Sequence, residues 1–217
     1  MPGRPGTRRL ADPAAVRHAD HTALIRGGVE GSGPRWLELG AGDGEFTLAL
    51  ADVLGEGGHI LAIDRDRRAL AELVERLAAR FPRTRVHTTA DDFVRVLPDG
   101  PFDGVLAANS LHFVADQPAI VRSIREALAP GGRLVLVEYD ADHGNPYVPH
   151  PISFRRWEQL ATAAGLELPR LLHRVPSRFL GSIYGAVAIR PPMGDRPPLG
   201  AGDRVLHSGP HGDDREE

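Results

Sequence analysis

Three glycines at alternate positions, Gly40, Gly42 and Gly44, close the run Trp36-Leu37-Glu38-Leu39 and open onto a helix-like pattern from Phe46. A strand, a tight glycine turn and a helix start in that order carry a nucleotide-type ligand over the end of a parallel sheet. Carboxylates set this turn apart. Glu38 precedes it, Glu45 stands where a dinucleotide-binding turn has its third glycine, and Asp64, Asp91 and Asp92 follow at later strand ends. A diphosphate would lie on the N-terminus of the helix after the turn, where a carboxylate at position 45 repels it. Glu45 either plays that part or complements the helix dipole while pointing to solvent. In the first case the ligand carries positive charge and no phosphate. Asp64, 20 residues beyond Gly44, is spaced to accept hydrogen bonds from two vicinal hydroxyls.

Other chemistries are closed by composition. The chain of 217 residues has no cysteine, and all 26 of its basic residues are arginine. Thiolate nucleophiles, disulfides and Cys-ligated metals are therefore absent, as are Schiff bases and the lysine of a phosphate-binding loop. A net charge of −3 gives no general attraction to nucleic acid. No apolar run approaches the ~20 residues that span a bilayer, and no long apolar stretch follows the basic N-terminus, so a cytoplasmic location is expected.

The elements that must position these residues alternate. Pro13 begins a helix ending at Gly27-Gly28, with His21 on it. Buried strands are expected at 36–39, 59–63, 84–88, 102–108 and 133–138, with helices from 46 to about 54, from Asp66 as N-cap to the residues before Pro82, and around 117–128. Such alternation builds right-handed crossovers and a parallel sheet. Ser153 caps a further helix, and 167–175 and 181–190 form a pair joined too closely for a crossover, hence antiparallel. The expected organisation is a disordered tail at 1–11, a helical cap at 12–34, one α/β domain at 35–190 and a disordered tail at 191–217.

Taken together, Glu38-Leu39-Gly40-Ala41-Gly42-Asp43-Gly44, Asp64, Ala90-Asp91-Asp92-Phe93, Phe102–Asn109 and Leu128-Ala129-Pro130-Gly131-Gly132-Arg133-Leu134 resemble, in order and spacing, the motifs of class I S-adenosylmethionine-dependent methyltransferases. The resemblance covers roughly residues 35–140 and the terminal strand pair. It implies a three-layer Rossmann-like sandwich with a seven-stranded, mostly parallel sheet, order 3-2-1-4-5-7-6, the last strand antiparallel. It also implies S-adenosylmethionine as methyl donor and S-adenosylhomocysteine as product. The implied donor site comprises Glu38, Gly40, Ala41, Gly42, Asp64, Arg65, Asp91, Asp92, Phe93 and Asn109. Glu38 favours the positive part of the donor, and backbone N–H groups of the turn meet its carboxylate. Asp64 takes the ribose hydroxyls. Asp91 accepts from the adenine amino group or caps a helix, Asp92 sharing the work. Arg65 stacks on adenine or points to solvent.

Methyl transfer is an in-line displacement in which positioning supplies much of the rate; a base is needed only where the nucleophile must lose a proton. The acceptor belongs beyond the fourth and fifth strands, near Asn109–Phe113 and Tyr139–Pro151. His112 is there either as a base or as a histidine packing beneath the donor, with Tyr139 as a second candidate catalytic group. His143, His150 and Tyr147 lie in the following loop, and His21 could fold over the site. Asp140, Asp142, His143 and Asn145 have the atoms to hold a divalent ion, but an ordinary polar loop has the same composition and no metal is expected. The sequence Asn109-Ser110-Leu111-His112 is not the Asn/Asp-Pro-Pro-Tyr/Phe of enzymes that methylate planar amino groups. Nor is there a long insertion after the fifth strand. A small, partly apolar acceptor, methylated on O, N or C, is the expectation. The alternatives are a nucleic-acid or protein substrate, or donor binding without transfer.

Overall fold

The computed structural model describes residues 13–177 and 180–192; the expected tail at 1–11, and that at 191–217 except for its first two residues, lie outside the described residues. In chain order the elements are α1 (Pro13–Val29), β1 (Arg35–Leu39), α2 (Glu45–Leu54), β2 (His59–Asp64), α3 (Arg67–Arg80), β3 (Arg85–Ala90), β4 (Phe102–Ala108), α4 (Gln117–Ala127), β5 (Leu128–Tyr139), α5 (Phe154–Ala163), β6 (Arg170–Pro176) and β7 (Ser182–Ile189). A 3-10 turn, Leu111–Phe113, follows β4. They form one seven-stranded sheet, order β3-β2-β1-β4-β5-β7-β6. The strands from β3 to β5 pair in parallel, whereas β7 is antiparallel to both β5 and β6.

Strand periodicity divides the core in two. Trp36, Ile60, Ala62, Leu106, Val135 and Val187 face α1, α2 and α3. Leu37, Leu39, Ile63, Val105, Ala107, Leu134 and Leu136 face α4 and α5. Strands covered on both faces read as continuous apolar runs, which is why they were legible. Asp66 caps α3 through the amides of Arg68 and Ala69, and Ser153 caps α5 through Arg156.

Three features depart from a simple alternation. The crossover from β3 to β4, residues 91–101, contains no helix, and Phe93 and Leu97 pack against the α4–α5 side of the core instead. Pairing of β5 with β4 starts earlier than expected, at Leu128 opposite Phe102; the register then shifts across Ala129–Gly132 to join Arg133 to Gly104. Residues 129–132, which lie between the expected helix and strand, are therefore a bulge within the strand. Finally, α1 lies directly on the sheet. A Cβ at Gly185 of β7 would stand 1.8 Å from the Leu24 carbonyl oxygen, so only glycine lets the helix backbone approach that closely. Arg133 and Arg170 donate to carbonyls at the end of α1 (Gly28 and Glu30, and Gly27).

Candidate functional site

The sheet order reverses between β1 and β4, and a parallel sheet opens a crevice at the carboxyl ends of its strands at that point. A cleft of about 540 Å³ lies there. The glycine turn contributes Gly40 and Gly42, the end of β2 contributes Asp64 and Arg65, and the segment after β3 contributes Asp92, Phe93 and Val94. Its far wall runs from Asn109 and Ser110 through Phe113 to Asp116. A shallower groove of about 600 Å³ between α1 and α2 passes His18, Arg26 and Asp52, away from these strand ends.

The turn is held by its own amides. Gly40, Gly42 and Gly44 all have positive φ (75°, 52° and 79°). The N–H groups of Gly40 and Ala41 both donate to the Ile63 carbonyl, at 2.8 and 3.0 Å. Gly42 N–H donates to Asp64 Oδ2 at 2.8 Å, and Gly44 N–H to the Ala41 carbonyl. The expectation that these amides meet a ligand carboxylate is thus corrected: four of them are already engaged. What remains is the N-terminus of α2, which has no side-chain cap, unlike α3, α4 and α5.

Asp64 is fixed from two sides, Oδ2 by Gly42 and Oδ1 by the Asp66 amide at 2.9 Å. Each oxygen keeps a lone pair toward the cleft for a hydroxyl donor. Asp91 is exposed and its carboxylate accepts from the Asp92 amide, so Asp92 rather than Asp91 lines the cleft. Asp92 accepts from Val94 N–H and lies 3.9 Å from the largely exposed Arg65.

Glu45 is not a free negative charge. Arg76, reaching across from α3, donates to Glu45 Oε1 at 2.6 Å and to the Asp43 carbonyl at 2.5 Å. Burial opposes ionisation of Glu45, but the Arg76 hydrogen bond and charge prevail and hold its carboxyl below the ordinary value. The phosphate-repelling reading of Glu45 is corrected accordingly: its charge is spent on a salt bridge that clamps the turn. His21 of α1 stacks on Phe46, ring centroids 4.5 Å apart, and stands 3.9 Å from Glu45; burial lowers its pKa against the pull of that carboxylate.

Glu38 is the unusual carboxyl. It is 1 % exposed on the α2 side of β1, and its Oε2 has no hydrogen-bond partner. Burial raises its pKa from 4.5 to about 7; the neighbouring Thr47 hydroxyl pulls the other way, and the charge of Asp64 adds to the rise. That hydroxyl is itself buried without hydrogen-bond geometry to any acceptor. Across the turn, Asn109 has a positive φ of 50°, rare outside glycine, and its Oδ1 is unpartnered, as is Ser110 Oγ. Three oxygen atoms able to accept hydrogen bonds thus lie unpaired around Gly40 and the end of β4, a set complementary to a cation rich in N–H donors.

His112 and Tyr139 do not line this cleft. His112 is 2 % exposed, its Nδ1 lies 2.8 Å from Glu138 Oε2, and its backbone N–H donates to Glu138 Oε1 at 3.1 Å. Glu138, wholly buried, was not singled out from sequence; nothing in the spacing says that a strand-end carboxylate on β5 lies against the turn after β4. Burial, then Glu138, raises the Tyr139 phenol above its ordinary pKa. His143, His150 and Tyr147 are exposed. Asp140 accepts from Phe154 N–H and pairs with Arg174, and Asn145 Oδ1 accepts from Tyr147 and Val148 amides, so these loop oxygens serve local structure.

Comparison with known proteins places this geometry. The sequence pattern of a family described as a methyltransferase domain matches residues 14–183. The ubiquinone/menaquinone biosynthesis C-methyltransferase UbiE of Vibrio cholerae is 31 % identical over 108 residues, 49 % of this chain and 42 % of that protein. A 2-phytyl-1,4-naphtoquinone methyltransferase of Synechococcus elongatus is 28 % identical over 138 residues, 61 % of this chain and 58 % of its own length. The chain thus spans about half the length of these curated relatives. Among solved structures, a SAM-dependent methyltransferase from Aquifex aeolicus superposes with a TM-score of 0.62 at 20 % identity, covering 84 % of this chain and 96 % of the other. The YcgJ protein of Bacillus subtilis gives 0.63 at 14 % identity, covering 80 % and 99 %. No helix among the described residues is long and apolar enough to cross a membrane. By sequence pattern and by fold, the chain belongs to the class I S-adenosylmethionine-dependent methyltransferases.

Proposed function

We propose that this chain transfers the methyl group of S-adenosylmethionine to a small, partly apolar acceptor. The observation that carries the proposal is the cleft at the sheet's reversal point, where Asp64 is fixed by two amides and Asn109 and Ser110 on the wall carry unpaired oxygens, the unpaired oxygen of buried Glu38 standing two residues before Gly40. The donor's ribose diol matches Asp64, its α-ammonium and sulfonium match the unpaired oxygens, and its carboxylate matches the open N-terminus of α2. Arg65, Asp92, Phe93 and Val94 would flank the adenine, while Gly40, Ala41 and Gly42 give the close backbone approach. Asp91 would act only through the Asp92 amide that it holds. Bound there, the donor supplies a methyl group on a positively charged sulfur; the protein supplies alignment and exclusion of water.

The acceptor side carries apolar surface. Phe113 is 58 % exposed and Val94 52 % at the cleft, and Tyr147, 71 % exposed, sits in the loop after β5. The relatives are named for methylation of quinone-type rings, and an aromatic acceptor of that kind suits this rim. Calorimetry with S-adenosylhomocysteine tests the donor site, and release of that product with reduced 1,4-naphthoquinone, RNA and protein as acceptors tests the substrate class. Failure to bind S-adenosylhomocysteine would sink the proposal; binding without turnover of any acceptor would leave a donor-binding protein; turnover of RNA or protein alone would refute the small-molecule reading.

A further inference from the structure

We propose that Glu138 is the positioning residue of a proton-accepting pair with His112, and that the acceptor is therefore a hydroxylated aromatic that must shed its O–H proton; the proposal rests on the methyltransferase reading above. The pair is built, not incidental. Glu138 Oε1 accepts the His112 backbone N–H, while Oε2 accepts the Tyr139 N–H at 3.3 Å and lies 2.8 Å from His112 Nδ1. With both oxygens already accepting, the carboxylate accepts from Nδ1 as well, which fixes the ring as the Nδ1–H tautomer and leaves Nε2 a free lone pair. No hydrogen bond to Nε2 forms among the described residues. This is the arrangement by which a buried carboxylate orients an imidazole and steadies the imidazolium formed when it takes a proton.

Position supports the role. The ring lies at the carboxyl ends of β4 and β5, in the 3-10 turn between Ser110 and Phe113, both of which line the cleft. Phe113 covers the imidazole, centroids 4.2 Å apart, and is itself largely exposed, so it is the side chain an aromatic acceptor would displace. The chain has no lysine or cysteine to serve instead, and the remaining loop histidines, His143 and His150, are exposed. Other titratable groups near the pair are tied elsewhere. Tyr184 on β7 donates to the Ile152 carbonyl, Asp140 pairs with Arg174, and Tyr139 meets the ring edge-on at 5.8 Å with its phenol held protonated by burial.

In the proposed step, Nε2 takes the proton of the acceptor's hydroxyl. The oxygen, or the ring carbon it activates, forms the new bond to the methyl carbon while the carbon–sulfur bond breaks and its electron pair stays on sulfur. In methylation at carbon, that carbon's own proton leaves to solvent as the ring regains aromaticity and the oxygen takes back the proton held by the imidazolium; in methylation at oxygen, the imidazolium returns its proton to solvent.

The test combines two readouts on the full chain. Nitrogen-15 NMR of histidine-labelled protein with S-adenosylhomocysteine, His112 being assigned by its loss in His112→Gln, reads the tautomer without any acceptor. The expected result is Nδ1–H in the wild type and a switch toward Nε2–H in Glu138→Gln, whose amide can donate to Nδ1. With reduced 1,4-naphthoquinone as acceptor, kcat of Glu138→Gln should fall about 100-fold or more and lose the acid limb of its pH profile. Its S-adenosylhomocysteine affinity should stay within about twofold. An Nε2–H wild-type ring, an unchanged tautomer or an unchanged rate in Glu138→Gln, or turnover of an amine or thiol probe but no hydroxylated one, overturns the proposal. If Glu138→Gln does not fold, the wild-type tautomer and the rate of His112→Gln decide. Loss of S-adenosylhomocysteine binding in the wild type would strike the methyltransferase reading and leave the tautomer result standing by itself.

Discussion

Replacing Glu38 with glutamine should make the free protein more stable at alkaline pH while weakening its hold on the donor. Burial raises the Glu38 carboxyl from 4.5 to about 7, so the folded chain keeps a proton that the unfolded chain has already released. The sign follows from linkage: a group with a raised folded-state pKa contributes stability that is full below the unfolded value and is lost as pH rises through the folded value. Here that window runs from about 4.5 to about 7. A shift of this size corresponds to about 3 kcal/mol, at ~1.4 kcal/mol per pH unit, most of it lost by pH 7. Urea unfolding of both proteins from pH 5 to pH 8 isolates the effect, since every other carboxyl is common to the pair and cancels in the difference. The wild type should lose about 2–3 kcal/mol relative to Glu38→Gln across that range. In the same variant, S-adenosylhomocysteine affinity at pH 8 should drop about tenfold or more, because a neutral amide replaces the ionised partner of an ammonium. Parallel stability curves for the two proteins would show that Glu38 does not retain its proton, and unchanged affinity would show that it does not face the donor's positive charge.

Three further outcomes are expected. Asp64→Ala should weaken S-adenosylhomocysteine binding about 10- to 100-fold by calorimetry, the loss of charge-assisted hydrogen bonds to a diol; unchanged affinity refutes the ribose assignment. Arg76→Ala should cost no more than about 1 kcal/mol of stability, since the pair is partly exposed, yet raise the Glu45 carboxyl in an NMR titration and loosen the turn. The Arg76 contribution is present above the ordinary glutamate range and fades as pH falls through the depressed Glu45 value; a Glu45 titration unmoved by the substitution would contradict the clamp. Gly185→Ala should destabilise the fold by about 1–3 kcal/mol and speed hydrogen exchange along α1, because the Leu24 carbonyl it would strike is backbone and cannot swing aside. Wild-type exchange rates in α1 would refute the close docking.

What was legible in the sequence is what a single element can declare. Runs such as Leu37–Leu39 and Val105–Ala108 announce strands covered on both faces, and Asp66 and Ser153 announce helix starts, their side-chain oxygens accepting from amides of the first turn. What was not legible depends on two elements meeting. The amides of Gly40 and Ala41 go to Ile63 on a neighbouring strand, Arg76 reaches Glu45 from another helix, and Glu138 finds His112 across the β4–β5 seam. The choice between Asp91 and Asp92 turned on which of two adjacent carboxylates faces the cleft and which accepts its neighbour's amide, which composition does not record. The crossover after β3, for which no helix was expected, is helix-free, and there Phe93 and Leu97 do a helix's packing without its period.

The contact of Gly185 with the Leu24 carbonyl also bears on when this molecule can finish folding. The lining of the cleft ends at Asp116, so every residue of it leaves the ribosome well before β7 is made. The apolar face of α1, with Leu24, Ile25 and Val29, belongs to a core shared with Val135 and Val187, and its seat on β7 does not exist until synthesis has passed Ile189. During that interval α1 can rest on α2 but not yet on β7, and the part of its face still uncovered is what a nascent-chain chaperone would meet.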